Sequence, residues 1–139
     1  MTDSMPTLTA VEPEVDVAPT KRRRRSRAEM GADAIYKLIG EELQAQHEKW
    51  GEQNHPLVGG IFPNGSRNYY AVEEDRWKRI NDQRVADKVL GWDGILIEET
   101  FEALAAPNVD EAIAELVQVA AVAVQAILSI RRNGRGGAA

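Results

Sequence analysis

The chain has 139 residues, 43% hydrophobic and 28% charged, enough apolar material for the core of a single domain. It contains no cysteine, which excludes a disulfide scaffold, a cysteine-ligated zinc site and a thiol nucleophile, and fits a reducing cytoplasm. The net charge of −5 is unevenly spread: residues 1–27 hold six of the 17 basic and four of the 22 acidic residues, leaving 28–139 with 11 basic against 18 acidic, a net of −7. Such an acidic body suits cations, or anionic substrates that arrive with cations, better than it suits nucleic acid.

Residues 1–25 read as a disordered basic tail, punctuated by Pro6, Pro13 and Pro19 and poor in large apolar residues. It has no apolar stretch of the kind a secretory signal needs. The run KRRRRSR over 21–27 could contact nucleic-acid phosphates or an acidic partner, but it has no interleaved aromatic for base stacking, and a solvated tail is the favoured reading. A helical domain is expected over 26–132, with a flexible C-terminus over 133–139. Ser26 and Glu29 have the spacing of a capping box.

A first helix is expected from about Arg27 to Lys49, with Ile35, Leu38, Ile39, Leu43 and Gln46 near helical spacing and Gly51 as its C-terminal cap. Residues 51–68 carry four glycines and two prolines without any period and read as a long binding or lid loop. A second helix is expected over Tyr69 to Leu90, turning Val72, Trp77, Ile80, Val85 and Val89 inward and ending at Gly91. Asp93 is expected to cap a third helix over Gly94 to Ala106, stopped by Pro107. Asn108 and Glu111 again have capping-box spacing and open a fourth helix over Val109 to Arg132, ended by Asn133 and Gly134. No segment alternates like a strand, so the expected fold is all-α, a four-helix bundle. The longest apolar run, Leu116 to Leu128, is interrupted by Gln118 and Gln125, and no membrane span is expected.

The third and fourth helices carry the chemistry. In ILIEETFEAL, Glu98, Glu99 and Glu102 fall within about one turn on one side of a helix. In DEAIAELVQVAAVAVQAIL, Glu111, Glu115 and Gln118 form a stripe at i, i+4 and i+7, and Gln118 sits in an apolar sequence where its amide needs a partner. With 12 residues between Glu102 and Glu115, a short turn brings the two stripes face to face. Like charges gathered in a bundle repel unless cations bind them, and carboxylate oxygens suit Mg²⁺, with Mn²⁺ as the alternative. The competing reading is a solvated acidic helix face. No phosphate-binding glycine loop of the G-x-x-x-x-G-K-[ST] kind is present.

The pattern E-E-x-x-E, 12 residues, then E-x-x-Q resembles the signature of MazG-like nucleotide pyrophosphohydrolases, E-x-x-E followed by E-x-x-D. The segments QHEKWGEQNHP, DRWKRIND and GWDGILIEETFEAL add to the resemblance, which covers roughly residues 29–131. It implies an all-α, homodimeric or homotetrameric cytoplasmic enzyme that hydrolyses a nucleoside triphosphate to the monophosphate and pyrophosphate with Mg²⁺. Carried onto this chain, Glu99, Glu102 and Glu115 match the metal-binding carboxylates and Glu98 the glutamate that often precedes them, the candidate base. Gln118 stands where the family has Asp, which removes one charge from the site. Among the cations Lys49, Arg67, Arg76, Lys78 and Arg79, the sequence makes no choice.

Trp50, beside Gln53, Asn54 and His55, is a candidate for stacking on a base, with Lys49, Asn54 and Arg67 as further substrate contacts; alternatively Trp50 plugs the end of the bundle. Trp77 and Trp92 read as packing residues. His47 and His55 have no second histidine at metal-ligand spacing and read as solvated. A different class of function is a catalytically weak relative, a helical oligomerisation module that contacts nucleic acid through the arginine-rich arm.

Overall fold

A computed structural model describes residues 27–59 and 66–136. The expected tail, the capping Ser26, the basic run up to Ser26, loop residues 60–65 and the last three residues lie outside the described residues. The fold is all-α: the described residues form α1 (Arg27–Trp50), α2 (Ser66–Ala86), α3 (Trp92–Ala105) and α4 (Val109–Asn133), with no strand among them.

The helix ends follow from local chemistry. Gly51 takes φ 67° and returns its N–H to the His47 carbonyl at 2.8 Å, closing α1. At the start of α4 the capping box forms: Asn108 Oδ1 accepts from the Glu111 N–H at 2.9 Å while Asn108 Nδ2 donates to Glu111 Oε1 at 2.9 Å. Two expectations fail. α2 runs from Ser66 to Ala86: it takes 66–68 from the expected loop, and it ends before Leu90 because the chain leaves the helix at Lys88, a non-glycine residue at φ 58°, and the Val89 N–H closes the turn on the Arg84 carbonyl. Asp93 lies inside α3 and does not cap it; Gly91 holds the cap position with no side-chain bond. Asp93 instead accepts from Arg84 Nη1 at 3.2 Å through both carboxylate oxygens.

Successive contacts show α2 and α3 running antiparallel. Arg67 Nε donates to the Ala105 carbonyl at 3.2 Å, the Tyr70 and Phe101 rings lie 6.1 Å apart, Asn81 Nδ2 donates to the Gly94 carbonyl at 2.9 Å, and Arg84 pairs with Asp93. α3 packs equally closely on α4 across the connection Ala106–Asn108, with Ala103, Ala105 and Ala112 buried. Small side chains there let the helix axes approach.

The first helix stands apart. Among the described residues α1 packs on α4 alone, where Gly31 gives room to Leu128 and Ile35 is 1% exposed. Leu38, Ile39 and Leu43, which share Ile35's helical pattern, are exposed, as are Val72, Val85 and Val89 of the α2 pattern and its sequel. The period marks these residues as apolar faces, but a single chain does not bring a helix to cover them. The same holds for α4, which exposes Ile113, Leu116, Val117 and Ile130. By length and composition α4 is apolar enough to cross a membrane, which the interrupted run Leu116 to Leu128 understates. Its first turns nevertheless carry Asp110, Glu111 and Glu115, the last two of which line the acidic hollow described next.

Candidate functional site

The three-residue connection between α3 and α4 sets Glu99, Glu102 and Glu115 face to face, each offering a carboxylate oxygen within 4.8 Å of the others. Each is half-buried. This is the convergence expected from the sequence. A hollow of about 190 Å³ opens beside it, lined by Glu102 and Glu115 together with Glu74, Lys78, Ala105 and Glu111.

The electrostatics are those of carboxylates in excess. Burial and then the charges of Glu102, Glu115 and Glu98 push the Glu99 carboxyl above its ordinary range. Glu115 is raised as well, by desolvation first and then by Glu102. Glu99 Oε2 is buried and has no hydrogen-bond partner, a costly state for a carboxylate oxygen. A divalent cation would relieve both the repulsion and this orphaned acceptor, and an all-oxygen donor set fits Mg²⁺ or Mn²⁺.

One positive side chain enters the group from α2. Lys78 Nζ lies 2.9 Å from Glu102 Oε1 and 2.6 Å from Glu74 Oε1, and these two hydrogen bonds hold its ammonium well above the ordinary lysine range. Of the other cations weighed from the sequence, Arg76 pairs with Glu73 and Arg79 with Asp75 along the surface of α2. Arg67 reaches the Ala105 carbonyl, at a residue lining the acidic hollow. Lys78 is therefore the cation in direct contact with the acidic group, and its partner lies on another helix, where no spacing rule points.

Glu98 is placed differently from its neighbours. Its Oε2 accepts from Asn81 Nδ2 at 2.5 Å, so it stands beside the three-carboxylate group and is not one of its members. Gln118 is exposed, contrary to the apolar setting its sequence suggests, because this stretch of α4 is itself uncovered. Its Nε2 donates to Glu115 Oε2 at 2.8 Å, so the amide acts here as a donor to a carboxylate. Two residues that no motif or spacing singles out join the candidate site: Asn81, within the D-R-W-K-R-I-N-D segment and buried at 6% exposure, and Glu74, immediately before that segment.

The proposed base-contacting residues gather elsewhere. Trp50, Glu52, Gln53, Asn54 and His55 line a separate hollow of about 390 Å³ at the end of α1, and none of Glu99, Glu102 and Glu115 lines it. Trp50 is 56% exposed, so it does not plug the bundle, and Lys49 Nζ sits 4.6 Å from its ring centroid. Asn54 Nδ2 donates weakly to Glu52 Oε1 at 3.4 Å. Trp77 is half-buried, with the Arg84 guanidinium 5.5 Å from its ring, as a packing residue should be; Trp92 is 37% exposed.

No protein-family model matches this chain, and no curated protein or solved structure matches it. The functional reading therefore rests on the motif and on the geometry above.

Proposed function

We propose that the chain is a Mg²⁺-dependent nucleoside-triphosphate pyrophosphohydrolase, with Mn²⁺ as a competent substitute. The observation that carries this reading is the close approach of Glu99, Glu102 and Glu115, with Glu99 Oε2 buried and unpartnered among them. These three residues would hold the cation, which supplies positive charge against the phosphate oxygens and acidity to a water at the site.

The chain's own side chains complete the chemistry. Glu98, adjacent to the carboxylate group but engaged by Asn81, is the candidate base for the water that attacks the α-phosphorus, with pyrophosphate as the leaving group. Lys78 and Arg67, at the acidic hollow, are the candidate phosphate contacts. Trp50 and Asn54, in the separate hollow at the end of α1, and Lys49 over the Trp50 ring are the candidate contacts for the base of the nucleotide. The uncovered apolar faces of α1 and α4 support a homodimer or homotetramer.

The experiment is pyrophosphate release from a panel of canonical and modified ribo- and deoxynucleoside triphosphates, with Mg²⁺, with Mn²⁺ and with EDTA. Metal-dependent release that Glu102→Gln abolishes is the expected result. No release with either ion, from protein that circular dichroism shows to be helical, would move the weight to the oligomerisation module with its arginine-rich arm.

A further inference from the structure

Among the described polar side chains of α2, Asn81 is the one taken out of solvent, at 6% exposure. Its amide nitrogen spends both hydrogens on α3: one goes to the Gly94 carbonyl at 2.9 Å, the other to Glu98 Oε2 at 2.5 Å. Its oxygen is buried without a partner. The reverse orientation would set that oxygen against a carbonyl and a carboxylate, two acceptors, so the amide is fixed in one direction. Gly94 makes this possible, since a β-carbon at that position would overlap Asn81 Oδ1. An unsatisfied buried oxygen costs stability, and a hydrophobic residue of similar volume would fill the space without it. What the asparagine provides that leucine does not is a pair of donors, one that anchors it to the Gly94 carbonyl and one aimed at a single carboxylate.

That carboxylate is the one of the α3 acidic run that stays outside the close group formed by Glu99, Glu102 and Glu115. We propose that Asn81 is a positioning residue that ties Glu98 beside the metal-binding carboxylates and thereby keeps it for proton transfer. The proposal rests on the hydrolase reading, because it gives Glu98 the role of base. It adds a division of labour among four glutamates that is set from a neighbouring helix and not by spacing along α3.

The test uses the full chain with Asn81→Leu, Glu98→Ala and the double variant. Mn²⁺ affinity is read by calorimetry, pyrophosphate release by steady-state kinetics, and the Asn81 side-chain amide by NMR in EDTA. In wild type, one Asn81 amide proton is expected downfield, and Glu98→Ala should move it upfield. Asn81→Leu should bind Mn²⁺ within about threefold of wild type and keep KM within about threefold, while kcat falls roughly 100-fold, the scale of a mispositioned base. In the Glu98→Ala background the leucine should change kcat less than about twofold.

An amide signal indifferent to Glu98→Ala, an unchanged kcat in Asn81→Leu, an equal loss in both backgrounds, or Mn²⁺ affinity falling in step with kcat would each overturn the positioning role. Wild-type protein that binds no Mn²⁺ and releases no pyrophosphate overturns the hydrolase reading itself, and this role with it. Should Asn81→Leu fail to fold, Asn81→Ser fits the space, retains one donor, and should show a smaller loss confined to kcat.

Discussion

Lys78 Nζ reaches across from α2 to within 2.9 Å of Glu102 Oε1 on α3, while also gripping Glu74 at 2.6 Å on its own helix. A divalent cation held by Glu99, Glu102 and Glu115 would offset the same excess of carboxylates as the lysine charge, so the two would compete. Lys78→Met should therefore have opposite effects on the protein with and without metal. In EDTA the variant should unfold more easily by about 0.5–1 kcal/mol, the modest value that a half-exposed ion pair contributes. Mn²⁺ should bind it several-fold more tightly than wild type and restore most of the lost stability. Urea unfolding with EDTA and with Mn²⁺ measures both; equal losses under the two conditions would mean that Lys78 and the ion do not share a site.

The raised carboxyls make a pH prediction with a definite sign. Glu99 and Glu115 hold their protons more tightly in the folded chain than at the ordinary value of 4.5, so the folded state binds more protons than the unfolded one just above that value. Stability in EDTA should then fall as pH rises from the ordinary carboxylate range through the raised folded values, and return on acidification. Asp93 works in the other direction: the Gly94 N–H and Arg84 lower its pKa, so its contribution disappears only as pH drops below its ordinary value of 3.8. Saturating Mn²⁺ should remove the loss at higher pH, because the ion favours the ionised carboxylates. Urea midpoints from pH 4 to 8, with Glu115→Gln as a control that flattens part of the EDTA slope, check this.

What could be read from the sequence was whatever depends on neighbours along one helix. Asn108 and Glu111 announce the start of α4 because a capping box is a three-residue relationship, and Glu99, Glu102 and Glu115 meet because a short connection at Pro107 leaves little freedom to the two helices carrying them. The end of α2 departs from its expected place for a local reason of another kind: Lys88 adopts the left-handed turn that glycine usually marks, so the helix ends at Ala86 and not at Gly91. Asn81 and Lys78 gain their roles from partners 17 and 24 positions away on α3, which no period reveals. Leu38, Ile39 and Leu43 are recognisable as members of an apolar face, but whether another helix covers a face is settled only by packing.

Gly94 should tolerate no side chain. A β-carbon there meets the Asn81 amide oxygen and crowds Arg84 Nη1 at 3.0 Å, and Asn81 is buried and bonded on its nitrogen side, so it has no room to give. Gly94→Ala gains helix propensity of up to about 1 kcal/mol in principle, yet overpacking a close helix crossing costs about 1–3 kcal/mol. The net expectation is destabilisation, visible as a lower thermal midpoint. Pairing it with Asn81→Ala should recover much of the loss, because the clash disappears with the amide. A Gly94→Ala protein as stable as wild type would show that the α2–α3 contact at Asn81 is looser than described.

Gln118 gives the sharpest test of the acidic centre, since replacing its amide by the carboxylate of aspartate adds one negative charge at the cost of a single methylene. At present its Nε2 donates to Glu115 Oε2 at 2.8 Å and so helps a carboxylate that its surroundings already disfavour as an anion. Gln118→Asp removes that donor and places another negative charge one turn from Glu115. In EDTA the variant should lose a few tenths of a kcal/mol, the scale of a like-charge pair at this helical spacing. With Mn²⁺ the balance should reverse, because the added carboxylate contributes charge, and an additional oxygen ligand where it reaches the ion. Affinity should rise several-fold by calorimetry, while Gln118→Ala weakens it or leaves it unchanged. If Gln118→Asp binds Mn²⁺ no better than wild type, position 118 lies outside the influence of the ion, and the fourth position of the motif has no part in holding it.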